Sequence, residues 1–217
     1  MVEKLHTKGR TLDHAAGVYD FAMNTLSFGR ERKLRRDEIE TLTFEPTDRI
    51  LDLGCGTGTM TLELASMLTS GEVVGIDASH KMIDVAKKHL ERRGLEERCS
   101  FEYALAEKLP FPDNSFESCV SSMFYHHLPI ELKKESLKEA FRVLKPGGTF
   151  HVIDVDKPDN FFAFAAAWLG YVLLMQPAIK ENSDGVMPSL MKDAGFEEIT
   201  LVKKRLGLVS SYSSRRP

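Results

Sequence analysis

The stretch Arg49-Ile50-Leu51-Asp52-Leu53-Gly54-Cys55-Gly56-Thr57-Gly58 constrains the fold of this chain more than any other segment. An apolar run meets glycines on alternate positions, and a helical apolar pattern follows at once. Glycine has no Cβ, so it accepts positive φ and lets a ligand approach the backbone closely. A helix starting right after such a loop points free N–H groups and a partial positive charge into the same space. The combination predicts a nucleotide-type pocket at the carboxyl end of a strand in an open α/β sheet.

The strand–helix rhythm continues to about Val155. The first strand is expected over Arg49–Leu53. Its helix puts Met60, Leu64, Met67 and Leu68 on one face and ends at Gly71. The second strand, Val73–Ile76, closes on Asp77. Ser79 reads as the N-cap of a helix with the stripe Met82, Ile83, Ala86 and Leu90, stopped by Gly94. Further strands are expected near Ser100–Leu105, Phe116–Met123 and Thr149–Asp154. A helix carrying Leu137, Ala140, Phe141 and Leu144 precedes the last of these. Consecutive units of this length imply a parallel sheet with right-handed crossovers. Met187–Ala194 reads as a short helix ended by Gly195, and Phe196–Lys203 with Leu208–Tyr212 as a hairpin around Gly207. The polar end, Ser213–Pro217, is expected to fray.

At 217 residues the chain suits one domain with an elaboration, about 150 residues being usual. A net charge of -3 argues against an extended nucleic-acid-binding face. Cys55, Cys99 and Cys119 form no C-x-x-C pair and read as reduced, buried thiols of a cytoplasmic protein. No carboxylate–histidine spacing suggests a metal. The polar stretch Met1–Arg10 lacks the apolar core of a signal peptide.

The dinucleotide fingerprint requires G-x-G-x-x-G, but Thr59 stands where its third glycine belongs. That weakens a nicotinamide oxidoreductase reading. The denser loop suits a ligand with no pyrophosphate, such as one presenting an amino-acid carboxylate and ammonium. Asp77 follows about two dozen residues after the loop, where a carboxylate can accept from both ribose hydroxyls. The plainer alternative is an acid in a turn that favours the next helix. Asp52, an acid at an apolar strand end, needs a buried donor, which loop amides or a ligand ammonium would supply.

The segments Ile50–Gly58, Gly75-Ile76-Asp77, Ala106–Phe111 and Phe141–Gly148, in this order, resemble a class I S-adenosylmethionine (SAM)-dependent methyltransferase. The resemblance implies a Rossmann-like, seven-stranded, mostly parallel sheet with an antiparallel last strand, order 3-2-1-4-5-7-6, and helices on both faces. It implies SAM at the carboxyl edge, with Gly54, Gly56 and Gly58 along the methionine part and Asp77 on the ribose. Ala78, Met82, Ala106 and Glu107 would border the adenine, and Leu105 replaces an acid or amide found in many relatives. A narrower resemblance joins Tyr19–Asn24, Leu26–Arg30, Ala194-Gly195-Phe196 and Gly207–Tyr212 to the ubiquinone/menaquinone-biosynthesis methyltransferases. After strand four that group has a Phe-Gly-Leu-Arg-Asn type stretch, where this chain has Met123-Phe124-Tyr125-His126-His127-Leu128. The resemblance therefore carries methyl transfer further than it carries a quinone acceptor.

These readings give residues 1–45 as a helical lid. Residues 46–217 form a SAM-binding domain with an apolar insertion at about 158–190. The expected reaction is metal-independent methyl transfer to a small, lipophilic acceptor. A non-catalytic SAM-binding module or partner subunit is the alternative. His126, His127 and, more weakly, Tyr125 are the candidates to take a proton beside the methyl, and capping of the strand is the competing role for the histidines. His6, His14, His80, His89 and His151 read as isolated. Phe161–Met175, free of charge, is shorter than the roughly 20 residues that span a bilayer. A buried helix, an acceptor-pocket wall, and a peripheral membrane or homodimer contact all fit it.

Overall fold

The computed structural model describes residues 36–165, 168 and 177–217. Most of the lid expected over residues 1–45, with His6 and His14, lies outside the described residues.

The strands are β1 (Arg49–Leu53), β2 (Glu72–Asp77), β3 (Cys99–Tyr103), β4 (Phe116–Ser122), β5 (Leu144–Val155), β6 (Glu197–Arg205) and β7 (Val209–Arg215). They form one seven-stranded sheet in the order β3-β2-β1-β4-β5-β7-β6. Pairing is parallel from β3 to β5, and β7 runs antiparallel between β5 and β6. This is the architecture that the methyltransferase resemblance implies. The helices are α1 (Thr59–Ala65), α2 (His80–Arg93), α3 (Ile130–Val143), α4 (Pro177–Ser183) and α5 (Met187–Asp193).

Alternation along the strands sorts the apolar residues onto two faces. Leu51, Leu53, Val74, Ile76, Phe150 and Val152 pack with residues of α3 and α5. Ile50, Val73, Val120 and Ile153 pack with residues of α1 and α2. The second helix follows its sequence signals closely. The Ser79 side chain accepts from Met82 N–H, the buried residues are Met82, Ile83, Ala86 and Leu90, and Gly94 closes the helix in the left-handed region.

Three local expectations are corrected. First, α1 ends at Ala65, not at Gly71, and Met67 is exposed. The backbone N–H groups of Thr69, Ser70 and Gly71 all turn onto the Pro46 carbonyl, which pulls the chain off the helix axis. Gly71 serves a close approach instead: a Cβ there would lie 2.2 Å from the Asp48 carbonyl oxygen. Second, Leu144 belongs to β5, where it pairs with Phe116. Third, the polar end does not fray. Arg215 pairs with both Thr149 and Glu197. Arg216 donates to the carbonyls of Arg142 and Leu144 and to Asn114, and its guanidinium covers the Phe141 ring.

Of the lid, the described part lies against the sheet. Ile39 is buried with Leu42 and Phe44 beside it, and Thr43 meets the ring of His151 on β5. Burial lowers the His151 pKa to about 4, so this ring is neutral.

Candidate active site

Parallel strands all end at one edge, and the register brings Leu53 beside Ile76, Asp77 beside Tyr103, and Ser122 beside Ile153. The candidate residues project from this edge, as expected for a doubly wound sheet.

The glycine loop follows β1. Gly54, Gly56 and Gly58 take φ of +71°, +55° and +81°, in the region that disfavours a side chain. Their surroundings differ. A Cβ on Gly54 would lie 2.2 Å from the Phe124 ring, and one on Gly58 would lie 2.4 Å from the Phe101 ring. One on Gly56 would meet nothing within 4 Å. Gly54 and Gly58 are thus positions of close packing, whereas Gly56 has open space beside its Cα. The Cys55 thiol between them is buried, and burial, then Asp52 and Asp77, push its pKa well up. It is no nucleophile.

Asp77, at the end of β2, is half-buried. Its Oδ2 accepts from Gly56 N–H at 3.0 Å and its Oδ1 from Ser79 N–H at 2.8 Å. One carboxylate therefore ties the open glycine to the start of α2. Ala78 is half-buried, Met82 of α2 is buried, and the Ala104 N–H donates to the Asp77 carbonyl. That bond brings the stretch Ala104–Glu107 to the same place, with Leu105 and Ala106 buried and Glu107 half-buried. His80, expected to be isolated, stacks on Tyr103 with ring centroids 3.7 Å apart. Asp52 is buried and accepts from the Thr61 hydroxyl at 2.7 Å, which ties β1 to α1.

The second group lies beyond β4 and β5. Met123 has φ +54°, and the chain then makes a single 3-10 turn over Tyr125–His127. The turn brings His126 Nδ1 to 2.7 Å from Asp154 Oδ1. Asp154 Oδ2 accepts from the backbone N–H groups of Phe124 and His126, and Oδ1 also from Val155 N–H. Burial would raise the Asp154 pKa, but His126 and these bonds outweigh it and hold the carboxyl below its usual range. The His127 ring lies tilted against that of His126, centroids 3.9 Å apart. Tyr125 points the other way, into the core, with its hydroxyl 3.2 Å from Ser136 Oγ. Burial raises its pKa, so the phenol keeps its proton.

Sequence reasoning missed Asp154 as the partner of His126. The one available signal was an acid ending an apolar strand at the edge where the site had to be. It also missed α4, which packs on the His126 turn and on β5. Lys133 of α3 is fully buried and donates to Glu181 Oε2 of α4 at 2.8 Å. Asn182 donates to the Val155 carbonyl, and its own carbonyl oxygen is buried with no partner among the described residues.

A methyltransferase-domain family matches residues 50–148, which span β1 into β5. The ubiquinone/menaquinone biosynthesis C-methyltransferase UbiE of Ectopseudomonas mendocina is 31% identical over 99% of this chain and 91% of its own length. This chain belongs to the UbiE family of SAM-dependent methyltransferases. Solved structures agree on the UbiE-family fold. A SAM-dependent methyltransferase from Methanosarcina mazei, 25% identical, covers 80% of this chain and 94% of its own at a TM-score of 0.60. Another from Aquifex aeolicus, 20% identical, covers 96% and 100% at 0.67. This UbiE-family enzyme takes its methyl group from SAM, and the open glycine beside a carboxylate fits that donor. The oxidoreductase and the non-catalytic readings fall away.

Proposed function

We propose that this enzyme methylates a small, lipophilic acceptor with a quinol-type ring, with His126 taking the proton and Asp154 holding the imidazole. The observation that carries this reading is the 2.7 Å contact between His126 Nδ1 and Asp154 Oδ1. A carboxylate on Nδ1 keeps the proton there and leaves Nε2 with a lone pair. The ionised state of Asp154 suits that task. Tyr125, buried with its hydroxyl on Ser136, fits packing and not proton transfer.

Bound SAM supplies an electrophilic methyl on a positive sulfonium. On this reading Gly56 faces its methionine part, Asp77 accepts from the ribose, and Ala78, Met82, Ala106 and Glu107 border the base. Gly54 and Gly58 shape the loop from behind, and Asp52 braces β1. His126, with His127 packed against its ring, removes the proton that the acceptor loses as it gains carbon. Holding the acceptor in line with the methyl supplies on the order of 7–11 kcal/mol.

The acceptor class rests on the relatives, which are C-methyltransferases of ubiquinone/menaquinone biosynthesis. An apolar surface after β5 supports it. Phe161, Phe162, Phe164 and Trp168 are 77%, 82%, 61% and 58% exposed, while Ala163 faces inward. Those described residues suit a lipid or partner contact better than a buried helix. We infer a cytoplasmic enzyme from its three free, buried cysteines, with peripheral membrane contact and no nucleic-acid partner. No described helix is long and apolar enough to cross a membrane.

The test is transfer of label from methyl-labelled SAM to a short-chain 2-prenyl-1,4-naphthoquinol kept reduced. Label in the organic phase is expected. His126→Ala should lower kcat by about 10²–10⁴-fold and leave SAM affinity unchanged. Asp77→Ala should do the reverse, weakening SAM binding by about 1.5–3 kcal/mol. Unchanged turnover in His126→Ala rejects the base.

A further inference from the structure

On one face of a helix, an acid and an arginine three residues apart stabilise little by themselves. Glu139 and Arg142 of α3 are such a pair, with Arg142 Nε 2.8 Å from Glu139 Oε1. What sets them apart is a second set of partners, all in the segment that follows β3. Glu139 Oε2 accepts from Leu109 N–H at 2.7 Å, and Arg142 donates to the Leu109 carbonyl at 3.2 Å. The N–H and the carbonyl of one buried residue are thus held by one ion pair. The same guanidinium donates to the Phe111 carbonyl at 2.8 Å and to Asp113 Oδ1 at 2.7 Å. Arg142 keeps the Glu139 carboxyl below its usual range, so it stays an acceptor.

Leu109 is one end of a short loop. At the other end the Ala104 N–H donates to the Asp77 carbonyl at 3.2 Å. Between them the Lys108 N–H closes a turn onto the Leu105 carbonyl at 3.1 Å, with Ala106 and Glu107 as its central residues. Ala104, Leu105 and Ala106 carry no polar side-chain atom, so a ligand edge laid against them is met by their peptide groups. Peptide groups reach hydrogen-bond geometry only where the backbone is held. We propose that Glu139 and Arg142 are positioning residues for SAM: through Leu109 they set the loop whose backbone reads the amino edge of the adenine. This rests on the reading that Ala106 and Glu107 border the base.

The experiment is calorimetry of the whole enzyme with two probes, S-adenosylhomocysteine and S-inosylhomocysteine. In the second an oxo group replaces the adenine amino group. The parent should prefer the adenosyl probe. Glu139→Ala should weaken that probe by about tenfold and the inosyl probe by less, so the preference shrinks. Glu139→Gln keeps an acceptor for the Leu109 N–H and should keep the preference. In turnover with labelled SAM, KM for SAM should rise in Glu139→Ala by more than kcat falls. A packing role alone would lower the melting temperature and leave the preference intact, and that result overturns the proposal. So does a parent without preference, or an equal loss in Glu139→Gln and Glu139→Ala. If Glu139→Ala does not fold, Arg142→Lys carries the test. Lysine keeps the charge but has no fork to hold both carbonyls, so the preference should shrink, and an unchanged preference overturns the proposal. Ala78→Phe tests the underlying reading separately, because it fills the place assigned to the base. Retained binding of both probes would reject that place. Lost binding there, with an unchanged preference in Glu139→Ala, rejects the positioning role alone.

Discussion

At the scale of single residues, the three loop glycines look equivalent in sequence and are not equivalent in space. Each holds a left-handed backbone, so a Cβ costs roughly 1–3 kcal/mol of strain at any of them. Gly58→Ala adds a collision with Phe101 and should lower stability further, with a loss of melting temperature as the main readout. Gly56→Ala meets no protein atom. Its stability loss should be the smaller of the two, and its SAM affinity should fall the more. Thermal melts and calorimetry with SAM, run on both variants, check the ordering. The spacing of the glycines was legible in the sequence because their positive φ is a local demand. Which one has open space beside it depends on Phe101 and Phe124, residues far along the chain. The same holds for His126. That it follows strand four was legible, but its pairing with Asp154 required strands β4 and β5 to be laid side by side.

At the scale of elements, local signals did best where local physics decides. Helix α2 has its cap, stripe and stop in sequence, and all three hold. Helix α1 is shorter than its apolar pattern because the Pro46 carbonyl gathers the following N–H groups. The C-terminal segment is ordered for a similar reason. Arg216 reaches the carbonyls of Arg142 and Leu144, closing the join between α3 and β5. Arg216→Ala should cost about 1.5–3 kcal/mol, as for hydrogen bonds to a charged group. For a chain of this length that is a fall of several degrees in melting temperature, at about 2–4 °C per kcal/mol. SAM affinity should not change, since Arg216 lies at the opposite end of β5 from Asp154.

At the scale of the whole molecule, the sheet places the glycine loop with Asp77 and the His126–Asp154 pair along one edge, and the aromatic surface follows directly after β5. Leu206, 90% exposed at the tip of the β6–β7 hairpin with φ +50°, stands beside it, because the Asp159 N–H donates to the Gly207 carbonyl. Exposed apolar area of this kind marks a contact surface. Phe162→Ser with Leu206→Ser should reduce co-flotation with phosphatidylcholine vesicles by about tenfold or more. Turnover of a soluble short-chain acceptor should be retained. Equal flotation of variant and parent would reject lipid as the partner of this face. The fold, and the strand edge that carries the glycine loop, were legible at this scale because both rest on one repeated strand–helix unit. The acceptor side was less so, since it is assembled from segments outside that unit.

The order β5-β7-β6 has a consequence for synthesis. On the ribosome β6 emerges before the strand that must separate it from β5. Until β7 follows, the nascent chain carries an unpaired β5 edge and a β6 with no neighbour. Release or stalling before Val209 would leave that edge free to recruit strands from other chains.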